Sequence, residues 1–348
     1  MANNTSENIV SKQKPPTSRP ILATFILFGG IALLVLSVGG SILYGASNID
    51  FITIWQSLTN FDASSTAHQI IRGLRIPRAL AAALIGAGLA MSGAIMQGMT
   101  RNPLASPSIM GVTAGASFMM AVALVVMPQA SNFVMMLWAF GGAGIGVAIV
   151  FGVGSISKTG LTPVKLALAG TAVTALLSSL SSAIAIHFNI AKDISFWYAG
   201  GVSSVQWMHV HILAPVALIG FVIALFLANS ITVLNLGDDV AKGLGQQTIF
   251  IKITGTLVVL LLTGAAVSVA GTIGFIGLVI PHITRFLVGV DYRWIIPCSA
   301  VLGALLLVIA DTISRMVNPP FETPVGTVTA LIGVPFFLYL ARREGRGM

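Results

Sequence analysis

Ten long apolar runs separated by short polar connections constrain the fold of this chain more than any other feature of the sequence. A helix needs about 20 predominantly apolar residues to cross a bilayer, and each run is close to that length. A transmembrane β-barrel would instead show segments of about 10 residues with alternating polarity. The sequence therefore predicts an all-α membrane protein with about ten transmembrane helices. The runs lie at 21–43, 75–98, 108–127, 132–154, 163–188, 207–229, 248–270, 273–289, 294–314 and 325–341.

The composition excludes a soluble protein and disulfide chemistry. Of the 348 residues, 56% are hydrophobic and only 8% are charged, whereas a soluble domain carries about 25% charged residues. Cys298 is the single cysteine, so neither an internal disulfide nor a cysteine-ligated metal cluster is expected. The 37 glycines favour helices that approach closely through small residues, as in Gly111-x-x-x-Gly115 and Gly142-x-x-x-Gly146.

The distribution of charge predicts the topology. We expect a disordered cytoplasmic tail at 1–20, one transmembrane domain at 21–342 and a second cytoplasmic tail at 343–348. This arrangement places most lysines and arginines inside, as the positive-inside rule requires. The net charge of +8 then belongs to the cytoplasmic face, where anionic lipid explains it without a nucleic acid. Five basic residues fall outside instead: Arg72, Arg75, Arg78, Lys192 and Arg315.

The spans show no obvious energy source of their own. Ion-coupled carriers usually hold ionisable residues within their spans, but Asp311, His282 and Arg285 all lie toward span ends. The segment 152–159 approaches a phosphate-binding loop, yet Ser157 stands where glycine is required and the segment joins two membrane helices. These observations leave a channel, or a transport subunit that a separate ATPase drives.

The longest cytoplasmic connection, residues 230–247, predicts a short helix that stands clear of the bilayer. Asp238 and Asp239 suit the first turn of a helix that begins after Gly237, and Leu244 and Gly245 suit its end. Such a helix fits contact with a soluble partner, and a solvated loop is the alternative.

Basic residues recur on the outer side, where the topological rule disfavours them. Arg72, Arg75 and Arg78 are spaced by three, so they lie along one side of a helix that enters the membrane. They suit an acidic protein surface or an anionic substrate; the alternative is arginines that reach toward headgroups at a helix end. His209 and His211 lack a carboxylate or cysteine at ligand spacing, so no metal site is predicted.

Several ordered motifs together resemble the FecCD family, the permease subunits of bacterial ABC importers for iron-siderophores, haem and vitamin B12. The resemblance covers about residues 20–342. Its motifs are Leu74-Arg75-Ile76-Pro77-Arg78, Gly86 to Gln97, Arg101-Asn102-Pro103-Leu104-Ala105, Gly111 to Ala116, Leu236 to Gly245, Gly274 to His282, Ala310-Asp311-x-x-x-Arg315, Pro324-Val325-Gly326 and Gly333 to Phe337.

The resemblance implies an assembly of several chains. A second permease, identical or paralogous, would pair with this one above two ATPase subunits. An extracytoplasmic binding protein would deliver the ligand. ATP and Mg would bind the ATPases, so this chain is expected to bind no cofactor, to have no catalytic residues and not to be an enzyme.

The resemblance also implies roles for particular residues. Arg75, Arg78 and Arg315 are similar to arginines that receive acidic side chains of the binding protein, and Arg72 lies beside them. The segment 191–203 is similar in position to a short gating helix, with pathway candidates Ser195, Gly200, Gly201 and Ser203. The segment 237–245 resembles the helix that couples the permease to the ATPase. Its candidates are Gly237, Asp238, Asp239, Ala241, Lys242, Leu244 and Gly245.

We therefore expect an importer permease of the bacterial cytoplasmic membrane that works by alternating access, with a ferric siderophore as its cargo. Haem or a corrinoid carried by the same mechanism is one alternative. An ATP-independent channel or an ion-coupled carrier is an alternative of another class.

Overall fold

The structure, a computed structural model, describes residues 18–45, 49–155, 163–319 and 321–344. Most of the predicted tail at 1–20, the second half of the segment 152–159 and the end of the tail at 343–348 lie outside the described residues. The regular structure of the described ranges is helical throughout, as the apolar runs predict.

The helices follow one another with short connections. A π-helical turn at Ile71–Arg75 joins α3 to α4, and a 3-10 turn at Pro107–Met110 precedes α5. The α-helices are α1 Pro20–Leu43, α2 Phe51–Thr59, α3 Thr66–Ile70, α4 Ile76–Thr100, α5 Val112–Val126, α6 Asn132–Ser155, α7 Pro163–His187, α8 Ala191–Ala199, α9 Trp207–Leu234, α10 Asp238–Gly243, α11 Thr248–Ala270, α12 Ile276–Val288, α13 Tyr292–Met316 and α14 Val325–Glu344.

The prediction of about ten membrane helices is confirmed. By length and composition, seven helical segments of the described chain are able to cross a membrane, and α3 with α4 counts as one of them. Three shorter apolar helices, Val112–Val126, Ile276–Val288 and Val325–Tyr339, match the other three predicted runs. The run at 273–289 forms helix only from Ile276, because the chain is irregular between Gly271 and Phe275.

Helix α4 lies at the centre of the molecule, in contact with α9, α11, α12 and α13. Its glycines permit a close backbone approach: a Cβ atom on Gly93 would lie 1.8 Å from the carbonyl oxygen of Gly277 in α12. A Cβ atom on Gly86 would lie 2.3 Å from the carbonyl oxygen of Gly303 in α13. Such distances exclude any side chain, so van der Waals packing between backbones holds α4 in place.

The two glycine pairs singled out in the sequence pack α5 against α6. A Cβ atom on Gly115 would lie 2.1 Å from the carbonyl oxygen of Gly142, and one on Gly146 would lie 2.2 Å from that of Gly111. The small-residue interface predicted from the spacing is therefore present.

A buried acidic residue links α4 and α13 at the outer end of the helices. Asp311 in α13 is 0% exposed and lies between Arg78 of α4, at 2.8 Å, and Arg315 one turn further along α13, at 3.3 Å. Two cations and one anion are thus buried together, and each arginine depends on the same carboxylate. A buried ion pair that loses one partner leaves an uncompensated charge, which typically costs about 3–5 kcal/mol.

Replacing Asp311 by asparagine preserves the shape of the side chain and removes its charge. We expect the free energy of unfolding to fall by about 3 kcal/mol, because Arg78 and Arg315 would both remain buried without their shared counter-charge. Thermal unfolding of the purified chain in detergent measures this. Glu322→Gln is the matched control, since Glu322 is a half-exposed partner of the same Arg78 and its loss should cost less than about 1 kcal/mol. Equal melting temperatures for Asp311→Asn and the parent chain would contradict the expectation.

Candidate functional site

The guanidinium of Arg78 contacts two different carboxylates. Its Nε and Nη2 atoms donate to Asp311 at 3.0 and 2.8 Å, which is a bidentate arrangement. Its Nη1 atom donates to Oε1 of Glu322 at 2.7 Å. Asp311 is fully buried, whereas the side chain of Glu322 is 46% exposed. One edge of Arg78 is therefore fixed inside the protein, and the other edge meets a carboxylate that water can reach.

Arg75 and Arg315 bind the carboxyl end of α1. Nη1 of Arg75 donates to the carbonyl oxygens of Ile42 and Leu43 at 2.6 and 2.9 Å. Nη1 of Arg315 donates to the carbonyl oxygen of Ser41 at 3.1 Å, and its Nη2 donates to the Ser41 hydroxyl at 2.7 Å. The last carbonyls of a helix lack partners within it and carry partial negative charge, so they stabilise both cations.

Arg72 has different surroundings from the other outer arginines. Its Nη2 atom donates to the carbonyl oxygen of Leu58 in α2 at 3.0 Å, and its guanidinium lies 4.6 Å from the centre of the Phe61 ring. Arg75, Arg78 and Arg315 are only 6%, 8% and 7% exposed, respectively. Arg75 and Arg78 therefore point into contacts with α1 and α13, respectively. The docking role of these residues stays a prediction.

A cavity of about 640 Å³, called here the outer cavity, brings Arg78 together with most of the gating candidates. One wall is formed by α8 and the segment after it, including Asp193, Trp197 and residues 200–204. Arg78 and residues 322–325 form another wall. Gly200, Gly201 and Ser203 therefore line the cavity, whereas Ser195 is not among the lining residues and donates to the carbonyl oxygen of Ala191.

The end of α8 is held by hydrogen bonds to α5 and to the segment that follows α11. The hydroxyl of Tyr198 is hydrogen-bonded to Ser117 of α5, which in turn contacts Ser181 of α7. Thr272 donates to the carbonyl oxygen of Tyr198. Gly200 then adopts a positive φ of 65°, and a Cβ atom there would lie 2.3 Å from the carbonyl oxygen of Thr272. A glycine is thus required where α8 ends.

The short helix expected in the cytoplasmic connection is present as α10. Asp238 and Asp239 occupy its first turn, Ala241 is fully buried, and Lys252 of α11 forms an ion pair with Asp238. Lys242 lies in its last turn, and the chain leaves it through Leu244 and Gly245.

Three apolar side chains project from this segment into the surroundings. Leu236 precedes α10, Val240 lies within it and Leu244 follows it directly, and they are 66%, 47% and 66% exposed. We call these three residues the apolar ridge. Exposed apolar residues concentrated in one short segment favour a surface for a partner or for lipid.

A polar cluster near the inner end of α4 is absent from the sequence-based prediction. Arg285 of α12 donates to Oε1 of Gln97 at 3.0 Å and contacts the hydroxyl of Tyr292 at 3.3 Å. Gln97 in turn donates to the carbonyl oxygen of Leu278 at 3.1 Å. Gln97 and Arg285 are 188 positions apart, so spacing along the sequence does not indicate their contact. Only the presence of a glutamine within an apolar run indicates a buried polar partner.

The two histidines near Trp207 contact the start of α9 and the indole ring. Nδ1 of His209 accepts from the backbone nitrogen of Gln206 at 3.0 Å and so caps α9, and the ring of His211 stacks on Trp207. Among the described residues, no three His, Cys, Asp or Glu side chains are grouped so that they hold a metal ion.

At the cytoplasmic side, Asp291 precedes α13 and binds Arg293. The Arg293 guanidinium, at 2.7 Å, together with its backbone nitrogen holds the pKa of Asp291 below its usual value. The carboxylate therefore stays charged near neutral pH and caps the helix.

Comparison with known proteins places these features in one family. A model of the FecCD transport family matches residues 32–343. The iron(3+)-hydroxamate import system permease protein FhuB of Bacillus subtilis (strain 168) is 60% identical over 95% of this chain and 86% of its own length. The iron-uptake system permease protein FeuB of the same organism is 50% identical over 90% of this chain and 93% of its own length.

A solved structure shares the fold. It is described as an inward-facing conformation of a putative metal-chelate type ABC transporter; it is 29% identical, with a TM-score of 0.81 over 92% of this chain and 99% of its own chain. The residues that the FecCD model matches include α8, α10 and the outer arginines, so the sites described above lie within the part of the chain that the family shares. This chain belongs to the FecCD transport family.

Proposed function

We propose that this chain is the membrane-spanning permease subunit of an ATP-driven importer that carries a ferric siderophore across the bacterial cytoplasmic membrane. The observation that carries the proposal is the 60% identity to an iron(3+)-hydroxamate import permease over 95% of the chain. Among siderophores, a ferric hydroxamate is therefore the first cargo to test. The chain is a transport protein, with the hydrolysis of ATP assigned to separate subunits.

The proposed assembly contains two permeases, two ATPase subunits that bind ATP and Mg, and one extracytoplasmic binding protein. The apolar ridge on α10 supports the inner part of this assembly. Its middle residue, Val240, lies on α10, which is tied to α11 by the Lys252–Asp238 pair, so a force on α10 reaches a membrane helix directly. Burial of exposed apolar side chains in a cleft of a soluble subunit provides the binding free energy.

The proposed transport cycle is alternating access. Binding of ATP draws the ATPases together and moves α10, and hydrolysis resets them. At the outer side, α8 and the segment 200–204 border the outer cavity, which is where a gate has to open for the ligand. Ligand contacts along the path are expected to be weak and dispersed, because a path must release what it admits.

The proposed docking site for the binding protein is the group of outer arginines. Arg78 supports this role best, because it lines the outer cavity and its Nη1 edge already binds a carboxylate that solvent reaches. Arg75 and Arg315 hold α1 and Asp311, so their share in docking is to position Arg78 and to raise the local positive potential.

The cargo is tested by uptake in cells that lack the chain. Radiolabelled ferric hydroxamate, ferric catecholate, ferric citrate, haem and cobalamin are supplied separately, with and without the gene for this chain. We expect uptake of the ferric hydroxamate to depend on the chain and to stop when the partner ATPase cannot hydrolyse ATP. Uptake confined to haem or cobalamin would overturn the cargo. Uptake that continues without the ATPase would favour a channel or an ion-coupled carrier.

Charges on the apolar ridge should uncouple the permease from its ATPase. Val240→Asp and Leu244→Asp each place a carboxylate where an apolar contact is proposed, and we expect uptake and ATPase association to fall at least tenfold, about 1.4 kcal/mol. Co-purification in native detergent measures association. Gln247→Glu adds the same charge to an exposed residue beyond the helix and should change little. Equal losses in all three variants would contradict a specific role for the ridge.

The docking role of Arg78 is tested by Arg78→Gln. Glutamate at this position would face Asp311 directly and would report on stability, so glutamine is the informative substitution. We expect the affinity of the binding protein for the reconstituted transporter to fall tenfold or more, because truncating one partner of a charge pair at an interface typically costs about 2–5 kcal/mol. Surface plasmon resonance measures the affinity. Lys192→Gln removes another outer positive charge, on the exposed side of α8, and should have little effect. Unchanged affinity in Arg78→Gln would refute the role.

A further inference from the structure

Glu322 binds the edge of Arg78 that an incoming acidic side chain would need. The Nη1 atom of Arg78 donates to Oε1 of Glu322 at 2.7 Å, whereas the Nε and Nη2 atoms are committed to Asp311. Arg78 and Glu322 both line the outer cavity. A carboxylate of a partner protein that approaches through the cavity therefore meets a guanidinium whose accessible edge already has a ligand.

The two carboxylates on Arg78 differ in how easily they leave. Asp311 lies within α13, is fully buried and also contacts Arg315. Glu322 lies in the connection between α13 and α14, and its side chain is 46% exposed. The Arg78 side chain is only 10% exposed, so water reaches this pair mainly at Glu322 and competes there for the carboxylate. Glu322 is thus the exchangeable partner, and its departure leaves the Arg78–Asp311 pair intact.

The backbone beside Glu322 is hydrogen-bonded to α13, so the Glu322 side chain is able to move while the backbone stays in place. The backbone nitrogen of the next residue, Thr323, donates to the carbonyl oxygen of Ser314 in α13 at 3.1 Å. The residue on the other side, Phe321, is 71% exposed. Rotation of the Glu322 side chain into the cavity therefore leaves the backbone in place.

We propose that Glu322 is an internal competitor for docking: it occupies Arg78 while the permease is empty and leaves it when an acidic side chain of the binding protein takes its place. This inference rests on the proposed docking role of Arg78. Docking is then an exchange of one carboxylate for another, and the return of Glu322 to Arg78 after delivery helps the binding protein to dissociate.

A second acidic residue of the same cavity provides a matched control. Asp193 on α8 lines the outer cavity, and within the described ranges it forms no ion pair. Its removal changes the charge of the cavity by the same amount as removal of Glu322. If only the net charge of the cavity matters, removal of either carboxylate should change the affinity of the binding protein similarly. If Glu322 competes for Arg78, only its removal should change that affinity.

The test measures binding of the purified extracytoplasmic binding protein that supports uptake through this permease. The complete transporter is reconstituted in lipid nanodiscs, and association and dissociation rates are recorded by surface plasmon resonance for Glu322→Gln, Glu322→Asp, Asp193→Asn and the parent. We expect Glu322→Gln to bind about three- to tenfold more tightly, mainly through slower dissociation. Glu322→Asp, with a shorter side chain of the same charge, should lie between, and Asp193→Asn should remain within about twofold of the parent.

An affinity of Glu322→Gln equal to or below that of the parent would overturn the inference, and so would equal increases in Glu322→Gln and Asp193→Asn. Arg78→Gln in the same assay separates this inference from the docking proposal. If Arg78→Gln weakens binding and Glu322→Gln changes nothing, competition alone is refuted. If Arg78→Gln leaves binding unchanged, the docking proposal fails, and the inference fails with it.

Discussion

Asp311 and the two guanidinium groups that share it hold the outer ends of three membrane helices together. Isolated charges are costly to bury, and one buried carboxylate offsets part of the charge of both Arg78 and Arg315. The excess positive charge is met by carbonyl oxygens at the end of α1, which also bind Arg75. The result is a set of polar contacts that joins the outer ends of α1, α4 and α13. Any carboxylate that binds Arg78 therefore acts on a contact between helices.

Close backbone packing complements this unit deeper in the molecule. At Gly86 and Gly93, α4 touches the backbones of α13 and α12 without intervening side chains. Lipid tails are as apolar as leucine, so helix association in a membrane depends on such packing and on polar contacts. The hydrogen bonds of Arg285 with Gln97 and Tyr292 supply a polar contact near the inner end of the same helices. Helix α4 is thus fixed at its outer end, along its length and near its inner end.

Much of the architecture could be predicted from the sequence, because the length and polarity of an apolar run are sufficient to identify a membrane-spanning helix. The short helix α10 was predictable too, since the glycine before it and the acidic residues in its first turn are local signals. The contacts of Arg78 were not predictable. Asp311 lies 233 positions away in the chain, and the spacing of arginines shows which side of a helix they share but not what packs against it. Helix α2 was not predictable for another reason, since its nine residues are too few to stand out as an apolar run. The contact of Arg285 with Gln97 was not predictable because the two residues are 188 positions apart.

Helix α4 extends between the two surfaces that the proposed cycle uses, the outer arginines and the segment around α10. Arg78 lies in its first turn, and Arg101 ends it at the cytoplasmic side with a left-handed φ of 53°. There a Cβ atom on Gly237, the residue before α10, would lie 3.6 Å from Nη1 of Arg101. At about 1.5 Å per residue, the 25 residues of α4 span roughly 37 Å, so one helix extends from the outer arginines to the segment proposed to meet the ATPase. Alternating access requires these two surfaces to change together. Helix α4 is a rigid element with contacts at both surfaces, and coupling between distant sites travels through contiguous packed elements of this kind.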